Sequence, residues 1–579
     1  MFAPLLSILH KMHWRGPVFS AATTLVLTLS VVLISVVLDG CEGGISGPVG
    51  ASTGTGTGAR GGGAGGGGGG GMGTPGPLLP ARIRRLTNAE YDASVQALLG
   101  TSQRPSSTFP PDARQGSFTL NDAQRVDPIL AKQLDVAALA LVSEARGNGR
   151  LAALAPCASP TTAGEACATA FIQLFGARAY RRAIAADETA ALIAVYHAAA
   201  DGVTHDEGID LVARAMLQSA GFLYVTELGG APAPGATTAT LTADEMASAL
   251  SYTLTAGPPD QTLLDDAGAG ALATADGRER QARRLLASPQ GRARVVRVVR
   301  EWFGIDGIAN SAKDTTAYPE FAALRDSMDA ESVGFIGEVV SNGTGTVGEL
   351  LGADWTVADG PLAAMYGVSS MGTGRTSLAI AGRRGLLNQG AFLSVYAHAS
   401  ETAPVLRGVA IVRRVACLPL KSPTELNIMV TPPLPDPNKT TRQRFDIHAT
   451  DPLCRSCHVS IDGFGFAFEG YDGMGRARTM DGGHPVDSTT TVQTGRDFDG
   501  GYADSNALAV ALAGSADVRT CAARQLFRGS AGRSDDSAAG AEQAFVDGWR
   551  SLPADAQGSV VETLIAFVRS DQFAKRSVP

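Results

Sequence analysis

The chain has 579 residues, too many for one ordinary hydrophobic core, so several domains are expected. Apolar residues make up 44%, enough for most of the chain to fold, and 48 basic against 56 acidic side chains leave a net charge of -8. The charge is spread out without a long basic run, which gives no footing for nucleic-acid binding as the main task.

The N-terminus has the form of an export segment. Lys11 and Arg15 precede an uncharged, largely apolar stretch over residues 16–38, and "LDGC" follows at once. A basic start, an apolar middle and a small residue before a cysteine describe a targeting signal. "LDGC" resembles a bacterial lipoprotein cleavage site, with Cys41 as the acylated residue. The apolar stretch is also long enough to span a bilayer uncut. On either reading residues 1–41 anchor the chain to a membrane and the bulk lies outside the cytoplasm. Residues 42–80, with "TGTGTGARGGGAGGGGGGGMG", bury nothing and predict a flexible linker. Its root-mean-square span would be about 35 Å.

From residue 81 the pattern becomes helical. In "RIRRLTNAEYDASVQALLG", Thr87 is a good N-cap with Glu90 three residues on. Further helices are predicted over 122–146, 165–200, 208–226, 242–256, 277–303, 320–342 and through 503–575. Strand patterns are scarce, and residues 484–502 are the best candidate for a small hairpin. The prolines of residues 416–438 favour an extended connector. The expected fold is mainly α, with helical domains at 81–150, 151–230 and 231–375, a segment at 376–490 that carries the chemistry, and a helical domain at 491–579. No 20–50 residue repeat, Walker loop, G-x-S-x-G or H-E-x-x-H motif is present, so solenoid, ATPase and hydrolase readings lack a starting point.

The connector leads into "DPLCRSCHVSIDGFGFAFEGYDGMGRAR", where Cys454, Cys457 and His458 form C-x-x-C-H. Two thiols at this spacing can add across the two vinyl groups of haem, with the next residue, histidine, beneath the iron. For a chain of this composition the pattern would arise by chance about once in a thousand. The motif predicts one covalent haem c, bound by Cys454, Cys457 and His458, with His458 as iron ligand. Two alternatives stay open. Zinc would need a fourth ligand from His448 or His484. A redox dithiol would expect a βαβ setting. Candidates for the sixth iron position are His448, Met474, Met480 and His484. Phe464, Phe466, Phe468 and Tyr471 could wall a haem from water, and Arg476 and Arg478 could pair with its propionates.

Seven cysteines are present. Besides Cys41 and the motif pair, Cys157, Cys167, Cys417 and Cys521 remain, an even number that suggests disulfides in an oxidising compartment. Cys157 and Cys167 are close in sequence, and Cys417 with Cys521 follows by elimination; buried thiols are the alternative. Acids such as Glu331 show no paired-carboxylate spacing and are expected on a solvated helix face.

Several short blocks, in order, resemble the planctomycete-type exported cytochrome c proteins, which are assembled from consecutive domains of unknown function. The blocks are "RRLTNAEYDASVQALLG" with "FPPD", "FGARAYRRAI", "REWFGIDGI" with "SMDAESVGFIGEVV" and "PLAAMYGV", "RRGLLNQGAFLSVYAHASETAPVLRG" with the C-x-x-C-H segment, and "CAARQLFRGSAGR" with "FVRSDQFAKRS". The resemblance implies haem binding and a redox role outside the cytoplasm, and supplies no substrate. It implies that His448, ten residues before His458, outranks Met474 as sixth ligand or haem-pocket residue. Where the family has proline after the aspartate this chain has Gly463 after Asp462, which predicts a looser turn, and Ala403 stands where a serine is usual. The leading expectation is a membrane-tethered monohaem protein that passes electrons to or from a redox partner. The rivals are a haem-dependent oxidase or peroxidase acting on an organic or polymeric substrate, and a surface binding or scaffold protein with structural haem.

Overall fold

The computed structural model describes residues 77–578 apart from 155–163, 201–203, 422, 426–432, 435, 447–451 and 534–537. Cys41, the export segment, most of the glycine linker, Cys157 and His448 lie outside the described residues. The fold is mainly α, with small two-stranded sheets. No helix among the described residues is long and apolar enough to cross a membrane.

The chain divides into two compact units. The described part of the first comprises 94–109 and 126–224. Its helices Pro128–Gly147, Glu165–Tyr180, Ala186–Ala200 and His205–Gln218 pack around Phe171, Phe175, Val212 and Met216. The stretch expected as one helix over 165–200 is two, because Arg181 takes a left-handed conformation at φ 60°. Its buried guanidinium donates to the carbonyls of Ala179, Gly221, Phe222 and Tyr224. Those bonds hold a backbone geometry that non-glycine residues rarely adopt.

The described part of the second unit comprises residues 77–93, 110–125 and 225–578. Thr87 and Glu90 exchange side-chain-to-backbone hydrogen bonds at the start of helix Asn88–Leu99, the reciprocal cap that the sequence predicts. Glu90 also receives two hydrogen bonds from buried Arg84, which holds its carboxyl below the usual range against the cost of burial. The expected helix over 277–303 is broken into Ala275–Leu286 and Pro289–Phe303, where Ser288 caps the second and Pro289 opens it. Helix Phe321–Asn342 follows, packed on Pro289–Phe303 through a core that includes Trp302, Phe335 and Met328. Strand Lys575–Ser577 pairs antiparallel with Thr238–Thr240 within this unit.

The hairpin expected over 484–502 is smaller, Thr490–Val492 with Gly500–Tyr502. His484 belongs to a separate turn that pairs Met480–Asp481 with His484–Pro485, because Gly482 and Gly483 reverse the chain first.

Candidate functional site

Cys454, Cys457 and His458 lie on one helix, Pro452–Gly465. Proline opens it, where a missing N–H costs nothing. Residues three and four apart share a helix face, so the two thiols and the imidazole project together, and all three are half-buried.

This motif helix packs against helix Pro404–Arg414 at unusually short range. A Cβ at Gly408 would fall 2.2 Å from the carbonyl oxygen of Ile461, and one at Gly465 would fall 2.1 Å from that of Pro404. The pairing of 408 with 461 and of 404 with 465 makes the helices antiparallel. From a third direction, a Cβ at Gly463 would meet the Thr491 carbonyl oxygen at 2.6 Å, and the Thr490 hydroxyl donates to the Gly463 carbonyl at 2.8 Å. Gly463 therefore sits inside a clamped helix; the expected looser turn is not formed.

Between these contacts lies Asp462, a residue to which the sequence reading gave no role. Its Oδ1 is 2.9 Å from Nδ1 of His458, one turn earlier, and Asp462 is buried. With the carboxylate oxygen as acceptor, Nδ1 of the ring is the donor in this contact. The four-residue spacing from His458 was the available signal, although the sequence predicts no helix over this segment.

Two buried arginines fold the segment after the motif. Arg407 donates to the carbonyls of Phe468 at 3.1 Å, Tyr471 at 3.3 Å, Asp472 at 2.8 Å and Leu393 at 3.1 Å, and burial lowers its pKa to about 10. Arg383 lies between the rings of Tyr366 and Tyr471, at 4.1 and 4.4 Å, and donates to the carbonyls of Asn388 and Gly475. Beyond Tyr366 stands Glu331, 1% exposed, which accepts from the Tyr366 and Thr356 hydroxyls at 2.8 Å each. The expectation of a solvated helix face for Glu331 is overturned. Burial raises its pKa to about 7, although both hydroxyls and Arg383 pull the other way.

Phe464, Phe466, Phe468 and Tyr471 are all buried. Phe464 packs on Phe498, Phe468 on Phe392, and Phe466 lies under Arg442. Arg478 is held by Glu469 and Asp481, and Arg476 by Asp472 and Glu320, so protein carboxylates occupy the guanidiniums expected to meet propionates. Among the sixth-ligand candidates, Met474 is fully buried, with its carbonyl accepting from Ser394 at 3.2 Å. Met480 and His484 are exposed on their short turn. Among the described residues no three His, Cys, Asp or Glu side chains gather as a metal cluster.

Cys417 and Cys521, 104 positions apart in sequence, are joined in a disulfide whose loop contains the whole motif. Cys167 is buried in the first unit. A groove of about 520 Å³ in the second unit, lined by Glu349, Asp354, Trp355 and Arg384 among others, contains none of the expected site residues.

Four family matches follow one another along the chain. Residues 84–147 match PSD3, protein of unknown function (DUF1587), and 167–227 match PSD5, protein of unknown function (DUF1595). Residues 241–368 match PSD4, protein of unknown function (DUF1592), and 383–481 match PSCyt3, protein of unknown function (DUF1588). No curated protein and no solved structure matches the chain. The motif helix, helix Pro404–Arg414 and both buried arginines fall in the PSCyt3 match, while Glu331 and Tyr366 fall in PSD4. With these four matches in consecutive order, the chain belongs to the planctomycete-type multidomain family assembled from such domains of unknown function, one of which carries the name PSCyt3.

Proposed function

We propose that this protein carries one covalent c-type haem outside the cytoplasm, on a membrane tether, and passes electrons to or from a redox partner. The observation that carries the reading is the motif helix, with Cys454, Cys457 and His458 on one half-buried face and the Nδ1 side of His458 held by Asp462. The donor set fits the group. Thiols at i and i+3 suit thioether bonds to two vinyl groups. A histidine with Nδ1–H directed at a carboxylate offers Nε2 to a metal. When bound, the haem supplies one-electron exchange at its iron.

The chain's own residues do the remaining work. Cys454 and Cys457 would anchor the group and His458 would ligate it. The contacts at Gly408, Gly463 and Gly465 fix where these side chains stand. His448 would be the further residue to hold the haem, ahead of Met474, which is packed in the core. The Cys417–Cys521 disulfide supports an oxidising compartment, and the apolar segment before Cys41 supports a membrane tether.

Visible spectra of the exported chain, recorded as isolated and after dithionite, test the electron-carrier reading. Six-coordinate low-spin haem in both states supports it. High-spin haem that binds small ligands readily would refute it and favour an oxidase or peroxidase.

A further inference from the structure

The haem reading leaves open what sets the potential of the site, and the residue held against His458 addresses this. We infer that Asp462 is a positioning residue that lowers the reduction potential of the haem by placing a carboxylate on Nδ1 of its proximal histidine. The inference rests on the haem reading above.

Three observations carry it. The Oδ1–Nδ1 distance is 2.9 Å, a full hydrogen bond, and both side chains are largely shielded, at 17% and 11% exposure. Shielding keeps solvent from screening the charge. Third, the turn that bears Asp462 is gripped on both sides. Ile461 presents its carbonyl to Gly408, Gly463 meets Thr491, and Gly465 meets Pro404, each at a distance that leaves no room for a Cβ. The carboxylate is thus held by backbone packing and does not depend on the haem to be placed.

The electronic consequence follows from charge. A neutral acceptor on Nδ1 orients the ring and does little more. A carboxylate there gives the imidazole more anionic character, so Nε2 donates more strongly. Stronger donation favours the oxidised over the reduced iron, since the oxidised site carries one more positive charge. Reduction adds one electron from a one-electron donor, and the Nδ1 proton stays between His458 and Asp462. The matching redox partners are low-potential one-electron donors.

The test is a spectroelectrochemical titration of the exported, haem-loaded full chain, wild type against Asp462→Asn and Asp462→Ala. Asparagine keeps an acceptor oxygen in nearly the same place and removes the charge. The expected result is a higher midpoint potential in Asp462→Asn, at unchanged haem stoichiometry and far-ultraviolet circular dichroism. An unmoved midpoint in both variants, with haem attached, would overturn the inference and leave the haem reading standing. If the wild type carries no covalent haem, the haem reading itself fails and this inference falls with it. If neither variant loads haem, proton NMR of the wild type decides. A slowly exchanging Nδ1 proton on the axial histidine with an Overhauser contact to the Asp462 methylene supports the assignment, and a rapidly exchanging one contradicts it.

Discussion

Glu331 makes the second unit less stable as pH rises, and Glu331→Gln removes that loss. The carboxyl is buried, and its pKa stands at about 7 against the usual 4.5, chiefly through burial. Arg383 and the Tyr366 and Thr356 hydroxyls lower the pKa while Asp359 raises it, and the net displacement is upward. Below pH 4.5 the group is protonated in both folded and unfolded chains and contributes no pH dependence. Between 4.5 and 7 the unfolded chain releases the proton and the folded chain keeps it. Stability therefore falls by about 1.4 kcal/mol per pH unit across this window and levels off above it. The total loss is about 3 kcal/mol, a large fraction of an ordinary domain's stability. Glutamine keeps the shape and one acceptor oxygen without the charge. Trp302, Trp355 and Trp549 all lie in the second unit, so tryptophan fluorescence during urea unfolding reports on it. The variant should gain about 3 kcal/mol relative to wild type between pH 5 and pH 8. Parallel stability profiles for the two proteins would show that Glu331 is not a protonated buried acid, and would refute the reasoning.

Other predictions concern the packing around the motif. Gly408→Ala forces a Cβ against the Ile461 carbonyl, so it should destabilise the second unit by about 2 kcal/mol or more in urea unfolding and reduce haem incorporation. Cys417→Ala/Cys521→Ala opens a loop of about 100 residues and should cost about 4 kcal/mol, read as a lower urea midpoint that matches the wild type under reducing conditions. Helix Pro404–Arg414 starts at Ala403 with no side-chain cap, so Ala403→Ser should add about 1 kcal/mol, seen as a small rise in Tm.

Legibility in the sequence depended on how local the cause was. The Thr87–Glu90 cap spans four residues, and C-x-x-C-H spans five, so both can be read directly. The break at Arg181 could not be, because the carbonyls that hold it belong mainly to residues 221–224, about 40 positions on. Glu331 misled for the same reason. Its burial depends on Thr356 and Tyr366, and a helix with many small and acidic residues gives no periodic sign of an inward-facing carboxylate. The roles of Arg383, Arg407 and Gly408 were hidden within "RRGLLNQGAFLSVYAHASETAPVLRG". That stretch resembles the family as a string, yet its chemistry consists of bonds to carbonyls in 468–475 and one backbone approach to Ile461. Asp462 was the nearest miss, a carboxylate four residues after a candidate metal ligand in a segment already expected to be functional.

The central claim is that Cys454 and Cys457 hold a haem covalently. The most direct measurement is a pyridine haemochrome assay on the full chain, exported with c-type haem maturation machinery and denatured to release any loosely bound haem. One haem per chain with a c-type spectrum, lost in Cys454→Ala/Cys457→Ala, is the predicted result. Wild-type protein that matures, keeps its fold and carries no covalent haem would contradict the account.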